Sequence, residues 1–249
     1  MPPIDSYDCY SLQCIKDNTS LLTKDALDKI NTLIVQEGHQ LLDARLTKQL
    51  NIKTDSFVVK SNVHYPTDSS LLFDAMKYLI NLVGTLANKH GISGWREDKY
   101  YIRKIRTLKR KATSIKHSTS KTEGVIQKRE LMITEAYKEL INLCQLMLTK
   151  LKSTFELLKQ SNYIKEGQVE LFKEFVGHAH RQIDQINRRV ILKQVIPHSE
   201  KVFSLFNTFT EWISKGKAGV PVELGLRVAI STDQHGFILI HKTMEGEQD

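Results

Sequence analysis

Between residues 21 and 196 apolar side chains recur at three- and four-residue steps, and beyond Pro197 the period changes to alternation. From Thr23, a residue type that caps helices, Ala26, Leu27, Ile30, Leu33 and Ile34 predict an amphipathic helix with these side chains turned inward. Leu72, Met76, Leu79, Val83 and Leu86 predict a core helix over 69–89, ended by His90-Gly91. Tyr101, Ile105, Leu108, Ala112 and Ile115 predict a third helix with one packing side. Residues 125–160 (Ile133, Tyr137, Leu140, Cys144, Met147, Leu151, Leu158) and 171–195 (Phe172, Phe175, Ala179, Ile183, Ile186, Val190) predict two long helices packed antiparallel. The break between those two falls at Lys159–Tyr163. Residues 1–20 show no period and read as loose.

Two regions carry strand signals. Phe57, Val58 and Val59 predict a short apolar strand with Asp55 at its start, followed by a turn at Pro66 and a helix start capped by Thr67 or Asp68. After Pro197, residues 202–213 are rich in Phe, Thr, Trp and Ile, and Val222, Leu224, Leu226, Val228 and Ile230 alternate with other residues. Asp233-Gln-His-Gly236 then supplies a turn into Phe237–Ile240, which together predicts an antiparallel meander. The fold class is therefore α+β, predominantly helical. Its expected segments are an N-terminal helical part (1–50), a first strand and turn (51–68), a helical block (69–196) and the meander (197–249).

Composition narrows the classes. A chain of 249 residues, 41% of them hydrophobic, can bury the core of one large or two small domains. The first residues lack a basic segment followed by an apolar run, and nowhere do 18 apolar residues follow one another, so the expectation is a cytoplasmic protein with no membrane contact. Cys9, Cys14 and Cys144 are an odd number in a long chain and read as unpaired thiols.

The formal charge of +8 is concentrated. Between Arg96 and Glu130 there are twelve Lys and Arg against four acids, whereas the rest of the chain holds 24 of each sign. Arg103, Lys104, Arg106, Arg110 and Lys111 fall on the wheel away from the apolar side of their helix. Those five are the candidate DNA-binding residues, because clustered cations on one face suit a polyanion such as the phosphate backbone. His178 and His180 lie two apart on a helix, where they diverge and make a poor metal pair.

Beyond these patterns lies a resemblance. The run Thr54-Asp-Ser-Phe-Val-Val59, followed by Val63-His-Tyr-Pro-Thr-Asp68 and Leu71-Leu-Phe-Asp-Ala-Met76, resembles the first catalytic segment of bacterial insertion-sequence transposases of the DDE class, most of all the ISNCY group. Phe209–Lys217 and Val222–Val228 resemble the next strands of that core. The resemblance runs from about residue 20 to the end. It implies a partial RNase H-like sheet, made of the first strand and the antiparallel meander, with a large helical insertion after the first strand.

What the family does would then apply in part. Such enzymes cut and join DNA with two divalent cations, Mg²⁺ in the complete enzyme, held by two Asp and one Glu. Asp55 matches the first, as catalytic and metal-binding residue, while the second Asp and the Glu belong to later segments that Glu247-Gln-Asp249 does not reach. The resemblance thus implies a fragment short at both ends, with DNA as partner, a tendency to self-associate through an open sheet edge, and little catalysis alone, since one carboxylate chelates Mg²⁺ weakly. Glu211, Lys215 and Lys217 fall in the second-strand match, near DNA or on a solvated hairpin edge. Two other readings stay open: a non-catalytic helical DNA-binding or interaction protein, and a plain helical scaffold.

Overall fold

Helix caps set where the chain changes direction. A computed structural model describes residues 10–42, 50–115, 122–214, 221–244 and 246. Within them the chain is α+β, with α1 (Leu12–Thr19), α2 (Lys24–Leu41), β1 (Lys53–Lys60), α3 (Asp68–Lys89), α4 (Asp98–Ile115), α5 (Glu123–Gln160), α6 (Glu166–Ile186), β2 (Glu211–Ser214), β3 (Val222–Thr232) and β4 (Ile238–Thr243). Thr23 caps α2 by accepting the amide of Ala26, and Thr67 and Ser70 form a reciprocal box that starts α3. His90 and Gly91, the latter with φ +71°, close α3 as the pattern predicts. The region read as loose contains α1, started by the Ser11 hydroxyl on the amide of Cys14.

The chain forms two compact units, one of residues 1–60 with 211–249 and one of residues 61–210. The second unit holds α3, α4, α5 and α6 together with the non-helical stretches that flank them. In it α3 is central, packing against α4, α5 and α6, and Leu72, Met76, Leu79, Ile80 and Val83 have no exposed surface. Each such side chain is worth about 1.5–3 kcal/mol relative to an exposed one. By length and hydropathy α3 could span a membrane, but eleven of its 22 residues are buried among the other helices, as in a core helix. The antiparallel pairing expected for the two long helices is local: Phe155 stacks on Phe172 at 3.7 Å near their connection and Lys152 meets His180 at 3.0 Å. Elsewhere α6 packs chiefly on α3, with Tyr78 on Phe175 at 3.9 Å, and α5 on α4 and α3. Past Ile186 the helix tightness changes to a π turn over Asn187–Ile191, so α6 stops short of Val195.

In the other unit β3 is the central strand. All eight residues of β1 pair with it antiparallel, Asp55 facing Ile230 and Phe57 facing Val228. β2 and β4 pair with successive stretches of the opposite edge, Glu211 to Gly225 and Thr243 to Val228. The meander is therefore folded back, with β2 and β4 on the same side of β3, and residues 202–210 form turns instead of strand. Gly225 permits the close approach, because a Cβ there would lie 2.2 Å from the Val59 carbonyl oxygen. Among the described residues β1 has β3 as its one strand partner.

The inward stripe expected on α2 is reversed. Leu27, Ile30, Leu33 and Ile34 are exposed, and the helix docks on the β3–β4 hairpin through the other side. There Asn31 donates to the Ile238 carbonyl at 2.9 Å and His39 Nε2 meets Asp233 Oδ2 at 2.5 Å. Asp233 is buried, and its second oxygen accepts the amides of His235 and Phe237. Burial alone would raise its carboxyl, but the hydrogen bonds from His39, Phe237 and His235 prevail and hold it below the ordinary range.

Candidate nucleic-acid interface

The basic helix is α4. Ile102, Ile105 and Ala112 are buried against the helical core, with Tyr101, Leu108 and Ile115 partly so. Ile102 extends the packing side that the sequence pattern outlines. With that side fixed, Arg103, Lys104, Arg106, Arg110 and Lys111 are all exposed. Lys99, Arg103, Arg106 and Arg110 stand at steps of four, three and four, which places them on one stripe about 16 Å long at ~1.5 Å per residue.

Their partners differ. Among the described residues Arg103, Lys104, Arg106 and Arg110 pair with no carboxylate, whereas Lys111 Nζ lies 2.9 Å from Glu139 Oε2. The Arg106 guanidinium and the Lys109 ammonium lie over the Phe73 ring, each 5.4 Å from its centroid. Burial lowers the Lys109 ammonium below its usual value, with Asp74 opposing the shift and Arg106 and Arg110 adding to it. The arrangement is a row of exposed cations on one helix, four of them without carboxylate partners among the described residues.

Asp55 sits on β1 with its side chain exposed, its Oδ1 accepting the amide of Ser56 at 2.9 Å. Phe57 and Val59, also exposed, share its face with Val228 and Ile230 of β3. Among the described residues no group of three His, Cys, Asp or Glu side chains is placed to hold a metal ion. One carboxylate on an apolar face does not fit a two-Mg²⁺ centre, so no step through such ions follows from these residues. Glu211 lies on β2, where its Oε1 accepts the amide of Gly246 at 2.8 Å. Lys215, Lys217 and Cys9 lie outside the described residues.

The histidines of α6 are accounted for separately. His178 Nε2 is 3.7 Å from Glu174, His180 meets Lys152, and burial lowers both imidazoles, so they do not converge on a common point.

A second cluster carries no pattern signal. His64 Nε2 lies 3.4 Å from Asp74 Oδ2, where the loop before α3 crosses the first turns of that helix. Burial raises the Asp74 carboxyl above its ordinary value, opposed by His64, Lys109 and Lys77. Nothing in the sequence pattern ties His64 to Asp74, which lie ten positions apart on a loop and a helix.

Comparison with known proteins finds no matching family model, no matching curated protein and no matching solved structure.

Proposed function

We propose that this chain binds DNA through the exposed face of α4 and acts as part of a DDE-type transposase, with Asp55 as the first carboxylate of its catalytic set. The observation that carries the binding reading is the stripe of Lys99, Arg103, Arg106 and Arg110, exposed and without carboxylate partners among the described residues. Unpaired cations on a surface cost self-repulsion unless an anion meets them, and the phosphate backbone is an abundant polyanion.

The transposase part rests on the resemblance of Thr54–Val59, Val63–Asp68 and Leu71–Met76. It is supported by the pairing of the Asp55 strand with β3, as an RNase H-like core needs its first strand beside an antiparallel neighbour. Strand cleavage by that scheme needs two further carboxylates beside Asp55. What the described residues offer in support of this reading is the cationic face of α4. The apolar surroundings of Asp55 favour a second reading, a non-catalytic helical DNA-binding or interaction protein.

Nicking of supercoiled DNA with Mn²⁺ separates these readings from an assembled enzyme. The expected result is no cleavage by the wild-type chain and none by Asp55→Ala, with duplex binding intact in both. Cleavage by the wild type that Asp55→Ala abolishes would show that the chain builds a complete metal centre, and the reading of it as a binding part would fall.

A further inference from the structure

Where the loop at 62–64, the first turns of α3 and the turn at 203–207 meet, they enclose a cleft of about 190 Å³. Sites for drug-sized ligands begin at about 300 Å³, so this one has room for no more than a small ring system. Its walls are mixed, with Val63, Leu71, Leu205 and Phe206 on the apolar side and polar side chains making up the rest. Phe206 is 62% exposed, although Phe175 and Tyr78 back it at ring separations of 5.5 and 6.3 Å. The turn that presents this ring is held by Ser204, whose hydroxyl accepts the amides of Phe206 and Asn207.

The polar groups in the cleft are hydrogen-bonding groups. Asn62 and Asn207 make no side-chain hydrogen bond among the described residues, so two carboxamides, each donor and acceptor, are available at the rim. Asp74 and the exposed His64 add a carboxyl and an imidazole to the lining. Lys109, which reaches Asp74 electrostatically, belongs to the cationic helix α4.

We infer that this cleft receives one unstacked nucleobase, stacked on Phe206 and hydrogen-bonded along its edge by Asn207 and Asn62, while the attached backbone runs toward the cations of α4. An aromatic platform beside a cationic track is how unpaired bases are held without reading a duplex, and carboxamides match the donor–acceptor pairs of base edges. The Asp74 carboxyl in the wall disfavours a phosphate inside the cleft, so the base enters and its phosphate stays on the side of α4. The backbone path rests on the DNA-binding reading above, whereas the base pocket itself does not.

The test uses the full chain and four probes: free 2-aminopurine deoxyriboside, a single strand carrying one 2-aminopurine, the same strand abasic at that position, and a blunt duplex. Saturation-transfer NMR reads the free nucleoside, and fluorescence anisotropy reads the DNA. The inference predicts that the abasic strand binds about tenfold more weakly than its parent. It also predicts that Phe206→Ala and Asn207→Ala each remove this difference and the nucleoside signal while changing duplex affinity less than twofold. Equal binding of parent and abasic strands together with an unchanged nucleoside signal in both variants overturns it. A nucleoside signal lost in the variants, with parent and abasic strands equal, assigns the pocket to free nucleosides and overturns the strand-borne base. A signal lost in the variants without duplex binding by the wild type keeps the pocket and removes the DNA-binding reading.

Discussion

The ammonium of Lys150 lies over the ring of Trp95, 4.6 Å from its centroid, although the indole itself has no exposed surface. The same ammonium is 4.6 Å from the Tyr101 ring and donates to the Gly94 carbonyl at 2.6 Å. The indole N–H donates to Thr154 at 3.0 Å, and Asn88 donates to the Trp95 carbonyl. One lysine of α5 thereby pins the 91–97 connection and the start of α4, the helix that carries the cationic stripe.

Lys150→Met keeps the length of the side chain and removes its charge and hydrogen bonds. It is expected to cost about 1–3 kcal/mol in a urea unfolding curve, the combined scale of a shielded cation–π contact and a lost charged hydrogen bond. A variant within 0.3 kcal/mol of wild type, to the usual precision of about that size, would show that the α4 start is held without this contact.

Docking of α2 on the β3–β4 hairpin should weaken in acid. The Asp233 carboxyl is held below its ordinary value of 3.8 by hydrogen bonds from His39 and from the amides of Phe237 and His235, which outweigh the opposing effect of burial. A carboxyl depressed on folding contributes its full stability above the ordinary carboxylate range and loses it as the pH falls through the folded value. Hydrogen exchange of the Phe237 and α2 amides should therefore accelerate as the pH drops below about 4, after correction for intrinsic rates. Asp233→Asn should flatten that dependence. An equal acid response in the variant would assign it to other carboxyls.

The helix pattern of α3 was legible because its apolar side chains all meet one core, from Leu72 to Val83. The same spacing in α2 led the other way. Periodicity tells that Leu27, Ile30 and Ile34 share a side, but not that anything covers it, and the contacts that dock α2 are polar groups separated by some 200 positions, such as His39 and Asp233. Alternation in β3 likewise separates Leu226 and Val228 from Arg227, yet does not say that β2 and β4 share one edge. On α4, the five cations were legible as charges on a wheel. The Lys111–Glu139 pair was not, because Glu139 lies on α5, and the cleft around Phe206 was not, because its walls come from three separate stretches.

That ion pair ranks the cations. Lys111 is already engaged with Glu139, both side chains being about half exposed, at 52% and 50%, so the pair itself contributes little stability. Glu139→Gln should free Lys111 and raise duplex affinity roughly two- to fivefold at low salt, and Lys111→Ala should lower it less than Arg103→Ala does. Titrations by fluorescence anisotropy check both. Equal losses for Lys111→Ala and Arg103→Ala would mean that the pair opens on binding without cost.

The most direct measurement is the salt dependence of duplex binding, as log K against log salt concentration, for the wild type and for the variant with Arg103, Arg106 and Arg110 all replaced by Ala. Each phosphate contact removed lowers the magnitude of that slope by about 0.9, so loss of three contacts should flatten it by about 2.7. A flattening of that size, with the fold intact by circular dichroism, is the result expected if α4 lies on the backbone. An unchanged slope in the variant would contradict it and leave the stripe as a solvated face.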